Sequence, residues 1–214
     1  EVTKSLTANM EGDGIGGAVN LIMKDAPSER QFTANLSTGY NAMYFGRDFQ
    51  SFNRGGIVKK SPYEALGKPE DYKVTMEDFT TSNLRMKWKK PLPDLTAGLS
   101  YGDRFFDDKL GVMLAGTSHN GIEYRNYSSE QTRIGVHAKL DYSLNDNHKL
   151  TWYNGYMDMS EAEVRDGEDE KERAVRMRWN HQYIINSTLK GEHLFLSGGA
   201  LRLNWSAVLS KAFS

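Results

Sequence analysis

From Gln31 the chain alternates, with Phe32, Ala34, Leu36, Tyr40 and Ala42 on one side of an extended backbone and Gln31, Thr33, Asn35, Ser37, Gly39 and Asn41 on the other. A period of two is the mark of a strand with one apolar and one polar face. The pattern then lapses. Between Gly46 and Lys90 the residues lose any period and include Gly55, Gly56, Pro62, Gly67 and Pro69 among many charges, which predicts a long loop with a short helix near Tyr63 to Leu66. Alternation returns at Leu95, Ala97, Leu99 and Tyr101, and again from Leu110 through Val112, Leu114 and Gly116, across the short connection Phe106 to Lys109. A medium loop is expected from Gly121 to Gln131. The clearest strand follows, with Ile134, Val136, Ala138, Leu140, Tyr142 and Leu144 set against Arg133, Gly135, His137, Lys139, Asp141 and Ser143.

Asn145-Asp146-Asn147 is a turn cluster, and a fifth strand is expected at Leu150, Trp152 and Tyr156. Glu161 to Arg173 is dense in charge and reads as a solvated loop. A sixth strand carries Val175, Met177, Trp179, Tyr183 and Ile185 and runs to about Leu196, and Ser197-Gly198-Gly199 turns it into a seventh with Leu201, Leu203, Trp205, Ala207 and Leu209. The expected fold is therefore all-β and antiparallel. Two features favour a transmembrane barrel wall over a soluble sandwich. The connections alternate between longer and shorter, putting the short turns at one end of the sheet, and the strands reach about ten residues, enough to cross a bilayer at a tilt. Aromatics such as Tyr40, Tyr44, Tyr101, Phe105, Tyr142, Trp152 and Trp205 fall near strand ends, where an interfacial girdle would sit.

The opening residues are of another kind. Glu1 to Thr7, then Gly14-Ile15-Gly16-Gly17-Ala18-Val19-Asn20-Leu21-Ile22-Met23-Lys24, read as two short strands around a glycine turn in which Gly12, Gly14, Gly16 and Gly17 allow positive φ and close backbone approach. This segment resembles the end of the plug domain of TonB-dependent outer-membrane receptors: an acidic-apolar-x-Lys strand, an Ile-Gly-Gly turn and a Val-Asn-Leu-x-x-Lys strand just before the barrel. Gly102 to Gly111 and the stretches Gly191-Glu192-His193 and Leu203-Asn204-Trp205 are also similar to that family, with less specific motifs. The resemblance implies that residues 1–27 end a plug and that 28–214 supply roughly the first seven strands of a barrel of about 22. It further implies energy-coupled uptake of a large or scarce nutrient across a Gram-negative outer membrane. The partners would be the inner-membrane TonB complex, acting through an N-terminal box not in this sequence, an extracellular ligand and the lipid bilayer. Gly12, Gly14, Gly16, Gly17 and Asn20 are then structural plug residues. No catalytic residue, metal or cofactor is implied, and the ligand is left open among siderophore, vitamin, oligosaccharide and peptide.

Composition narrows the classes without choosing among them. A chain of 214 residues with 26% charged residues and a net charge of −1 lacks the basic excess of nucleic-acid binders. With no cysteine there is no disulfide framework or thiolate site. No apolar run approaches the ~20 residues of a membrane helix, a test that alternating strands escape. There is no secretory signal at Glu1, and the ends read as cut from a longer chain. Gly12, Gly14 and Gly17 also spell the dinucleotide pattern G-x-G-x-x-G, but Pro27 leaves no room for the helix it needs. Gly98-Leu99-Ser100-Tyr101-Gly102 spells G-x-S-x-G, yet alternation runs through it where a strand-to-helix elbow is required. The histidines at 119, 137, 148, 181 and 193 lack metal-motif spacing, and the acids from Glu161 to Glu172 lack the order of a calcium loop. Arg176, Arg178 and Arg202 fall on polar faces, where they would line a water-filled lumen. Two other architectures share the pattern. A small self-contained outer-membrane barrel, adhesin or structural, requires Ala18 to Met23 as a wall strand, and a soluble β-sandwich binding module requires apolar faces packed on each other.

Overall fold

The alternating segments assemble into one antiparallel meander in the computed structural model, which describes residues 2–3, 18–19, 25–55, 57, 60–65, 67, 71–79, 81–124, 127–168, 173–195 and 201–213. Two short strands, β1 (Val2–Thr3) and β2 (Ala18–Val19), pair with each other. Then come β3 (Gln31–Gly39), the loop strands β4 (Phe49–Phe52) and β5 (Met86–Lys89), and the long strands β6 (Asp94–Phe105), β7 (Leu110–Tyr124), β8 (Ser128–Asn145), β9 (His148–Glu168), β10 (Arg173–Phe195) and β11 (Leu201–Phe213). The seven-stranded sheet has the order β11-β10-β9-β8-β7-β6-β3, so β3 and β11 are its two edges. The short helix expected in the long loop is Pro62–Ala65.

Two expected loops are strand instead. Gly121 to Gln131 was to be a medium loop, but β7 continues to Tyr124 and β8 begins at Ser128, because Ile122 is buried and keeps the alternation going. Glu161 to Arg173 was to be a solvated loop, but β9 runs to Glu168 and β10 starts at Arg173. The reason is again alternation: Ala162 and Val164 are buried on one face of the strand, and Glu161, Glu163 and Arg165 occupy the other. The β7–β8 and β9–β10 connections at that end are consequently short, the stretch 40–93 between β3 and β6 remains long, and β8, β9 and β10 reach 18, 21 and 23 residues.

Register separates a mainly apolar face from a mainly polar one. One row across all seven strands reads Phe32, Tyr101, Leu114, Ala138, Asn154, Ser187 and Leu209, and the adjacent row reads Thr33, Ser100, Ala115, His137, Gly155, Asn186 and Ser210. Among the described residues only the two-stranded β4–β5 sheet packs on the apolar side, at the long-strand end through Phe52 and Met86; elsewhere Phe32, Ile134, Val136 and Leu203 are 42–67% exposed. Side chains also crowd the polar side. A Cβ on Gly155 would collide with the Tyr153 hydroxyl, and one on Gly111 with the carboxylate of Asp141.

Tyr156 and Tyr183 lie toward the long-strand end of the apolar zone, with Trp179 four residues beyond Tyr183, and Tyr142 and Trp205 lie toward the opposite end. Trp179 Nε1 donates to Ser160 Oγ at 2.9 Å and Trp205 Nε1 to His193 Nε2 at 2.9 Å, so each indole leaves no idle donor.

Candidate functional site

The glycine turn that carries the resemblance, Gly12, Gly14, Gly16 and Gly17 with Asn20, lies outside the described residues. What is described is where the chain emerges from it. Asp25 accepts from Lys139 Nζ at 2.7 Å and from Lys149 Nζ at 3.3 Å, and Ala26 O accepts from Arg104 Nε at 3.2 Å. Lys139, Lys149 and Arg104 all belong to the polar face by register, so residues 25–26 are laid against that face near the β6–β7 turn. The Lys139 ammonium holds the Asp25 carboxyl below its usual range, against a smaller opposing effect of burial and with further help from Lys149.

Behind this contact sits a second pair. Arg104 Nη2 lies 3.1 Å from Asp141 Oδ2, with the Asp141 side chain 1% exposed, and Asp141 Oδ1 has no hydrogen-bond partner among the described residues. Arg104 also donates from Nη1 to Asp108 O at 3.0 Å, tying the network to the turn. In that turn Phe106, Asp107 and Asp108 all have positive φ, from 51° to 63°. The alternation assigned Lys139 and Asp141 to the polar side. That they meet Asp25 and Arg104, 114 and 37 residues away, follows from register and was not legible in the pattern.

The other sequence candidates are scattered. Ser100 sits inside β6 between Thr33 and Ala115, so G-x-S-x-G forms no strand-to-helix elbow here. His119 bonds Thr96 Oγ1, His137 bonds the Tyr153 hydroxyl, His181 bonds Asp158, and His148 and His193 share a 3.1 Å contact between their Nδ1 atoms. Among the described residues no three metal-capable side chains converge. Arg176, Arg178 and Arg202 fall on the polar side, Arg178 opposite Glu163.

A cleft of about 490 Å³ opens at the long-strand end, which the sequence did not suggest. Its floor is Tyr124, Ser128 and Asp166, which belong to the apolar side of the sheet by register, and its wall is the loop from Met43 to Gln50 with Trp88. The loop is anchored by Tyr44 and Phe49, buried with Ile122, and by Phe52, buried with Ala162 and Val164. Tyr44 donates to Glu123 O at 3.2 Å and lies 3.3 Å from Ser128 Oγ, and burial pushes its phenol up.

Compared with known proteins, the chain matches no family profile, no curated protein and no solved structure.

Proposed function

We propose that the chain is a wall segment of a TonB-dependent receptor in a Gram-negative outer membrane, joined to the end of its plug: residues 1–27 belong to the plug and 28–214 to the barrel. The observation that carries this reading is a mainly apolar face, spanning seven strands and uncovered over most of its area, with an edge strand on either side that has no outer partner among the described residues. In water such a face would cost about 25 cal/mol per Å² of apolar surface, and in hydrocarbon that cost vanishes. Unpaired edges are not tolerated in lipid, which calls for further strands to close the barrel. The polar face becomes the lumen, and Asp25 and Ala26 lie on it where a plug would leave for the wall. The protein then acts in transport, coupled to the inner-membrane TonB complex, and not as an enzyme.

The two other architectures are less well supported. Ala18–Val19 pairs with Val2–Thr3 and not with the sheet, as a self-contained barrel would need. Among the described residues the apolar side carries only the two-stranded β4–β5 sheet, at one end, where a sandwich would need a sheet along the whole face. Arginine at Val136 should cost about 2–4 kcal/mol and deplete the intact protein from outer-membrane fractions, whereas arginine at His137 should leave its abundance near wild type. Equal effects at both positions would refute the membrane assignment. For transport, deleting the gene and deleting TonB should abolish growth on the same scarce nutrient; a growth defect independent of TonB would refute the coupling.

A further inference from the structure

The cleft at the long-strand end lies on the wrong side of the sheet for a transported solute. Tyr124, Ser128 and Asp166 share the face of Ile134 and Val136, not that of His137 and Lys139. If that face meets lipid, as proposed above, the cleft opens outside the barrel. Its height decides what can reach it. Ser128 is six residues along β8 from Ile134, the last apolar residue of the zone on that strand before Thr132 and Glu130. Six residues span about 20 Å of strand, or about 15 Å along the membrane normal at a tilt of about 40°. The headgroup layer of a phospholipid adds only about 5–8 Å to each side of the hydrocarbon. A phospholipid headgroup therefore stops short of the cleft, and a sugar chain carried by a lipid does not.

The lining suits that occupant. Trp88 and Tyr124 are 58% and 45% exposed, Tyr124 with its ring set edge-to-face against Tyr44, and both offer exposed aromatic surface to the C–H groups of sugar rings. Around them stand Arg47, Gln50, Asp48 and Asp166, a mixture of donors and acceptors suited to hydroxyl groups. Charge argues against an anion. The lining holds one cation, Arg47, and two carboxylates; Lys90 Nζ lies 3.2 Å from Asp48, and Gln50 Nε2 donates to Asp166 at 3.1 Å. A volume of about 490 Å³ is within the range of small-ligand sites. We infer that this cleft binds the neutral saccharide headgroup of a glycolipid in the outward leaflet, on the exterior of the wall. The inference rests on the membrane reading of the apolar face.

The test uses the intact protein in phosphatidylcholine nanodiscs, alone or doped with a glycolipid bearing a neutral pentasaccharide, and with the same pentasaccharide free in solution. Retention is read by native mass spectrometry after release from the disc. The doped lipid should be retained saturably, Trp88→Ala and Tyr124→Ala should each weaken retention about tenfold or more, and Trp88→Phe should preserve most of it. The free sugar should bind far more weakly, since anchoring raises its local concentration. Insertion without glycolipid retention, or retention indifferent to Trp88→Ala, overturns the site and leaves the membrane reading intact. Equal affinity for the free sugar overturns the lipid source. Failure to enter discs of phosphatidylcholine alone defeats the membrane reading and this inference with it.

Discussion

Removing the Arg104 guanidinium strands a carboxylate that water does not reach. Asp141 is 0% exposed, its Oδ2 lies 3.1 Å from Arg104 Nη2, and its Oδ1 is without a partner among the described residues. Two unit charges at that separation attract by about 5 kcal/mol at an effective dielectric constant of about 20, and the cost of desolvating both cancels part of it. Breaking such a pair from one side costs about 3–5 kcal/mol, because the surviving charge stays buried. Arg104→Ala also gives up bonds to Ala26 O and Asp108 O, so the single variant overstates the pair. A double-mutant cycle separates them. Urea unfolding of the intact protein in detergent micelles, followed by tryptophan fluorescence, should show Arg104→Ala less stable by about 3–5 kcal/mol. Adding Asp141→Ala to it should restore about 2 kcal/mol or more, since no buried charge is then left alone. Single losses that add to within about 0.5 kcal/mol would refute the coupling and, with it, the placement of Asp141 against Arg104.

Other consequences follow from the same base of the sheet. Because the Asp25 carboxyl is held below its ordinary 3.8, its tie to Lys139 is fully present above that value and is lost as pH falls through the lowered one. Wild type should therefore exceed Asp25→Asn in stability by about 1 kcal/mol at neutral pH, a small figure because Asp25 is more than half exposed, and the gap should close only in acid below pH 3.8. A gap that closes between pH 5 and 7 would count against the assignment. In the β6–β7 turn, Asp107→Gly should raise thermal stability by up to about 1 kcal/mol and Asp107→Val should lower it, as φ of 51° is strained for any residue with a Cβ; thermal unfolding of the two variants decides it.

Period-two alternation was enough to find the seven strands of the sheet and to give their residues faces, because side chains on a strand must alternate and one set here is mainly apolar, although Tyr40 and Ala42 lie beyond β3, which ends at Gly39. Strand ends were less legible. Glu161, Glu163 and Asp166 outweighed Ala162 and Val164 in the local pattern, although two buried apolar residues at a spacing of two suffice to keep β9 extended. The site was harder still. Asp25 against Lys139 depends on a register summed over several strands, and the cleft depends on a loop from Ala42 to Phe52 folding back on Ile122 and Val164. Tyr44, Phe49 and Phe52 were visible as aromatics in an aperiodic loop, which signals that a loop packs on something but not on what.

Whether one side of the sheet meets lipid can be read directly, because these 214 residues contain no cysteine and each one introduced among them is the only thiol in the sheet. Cysteines placed in turn at Ile134, Gly135, Val136 and His137, labelled with a small fluorophore, would be examined in bilayers with and without brominated acyl chains. Quenching at 134 and 136 with protection at 135 and 137 is the predicted result; protection at all four, or the opposite alternation, would contradict it.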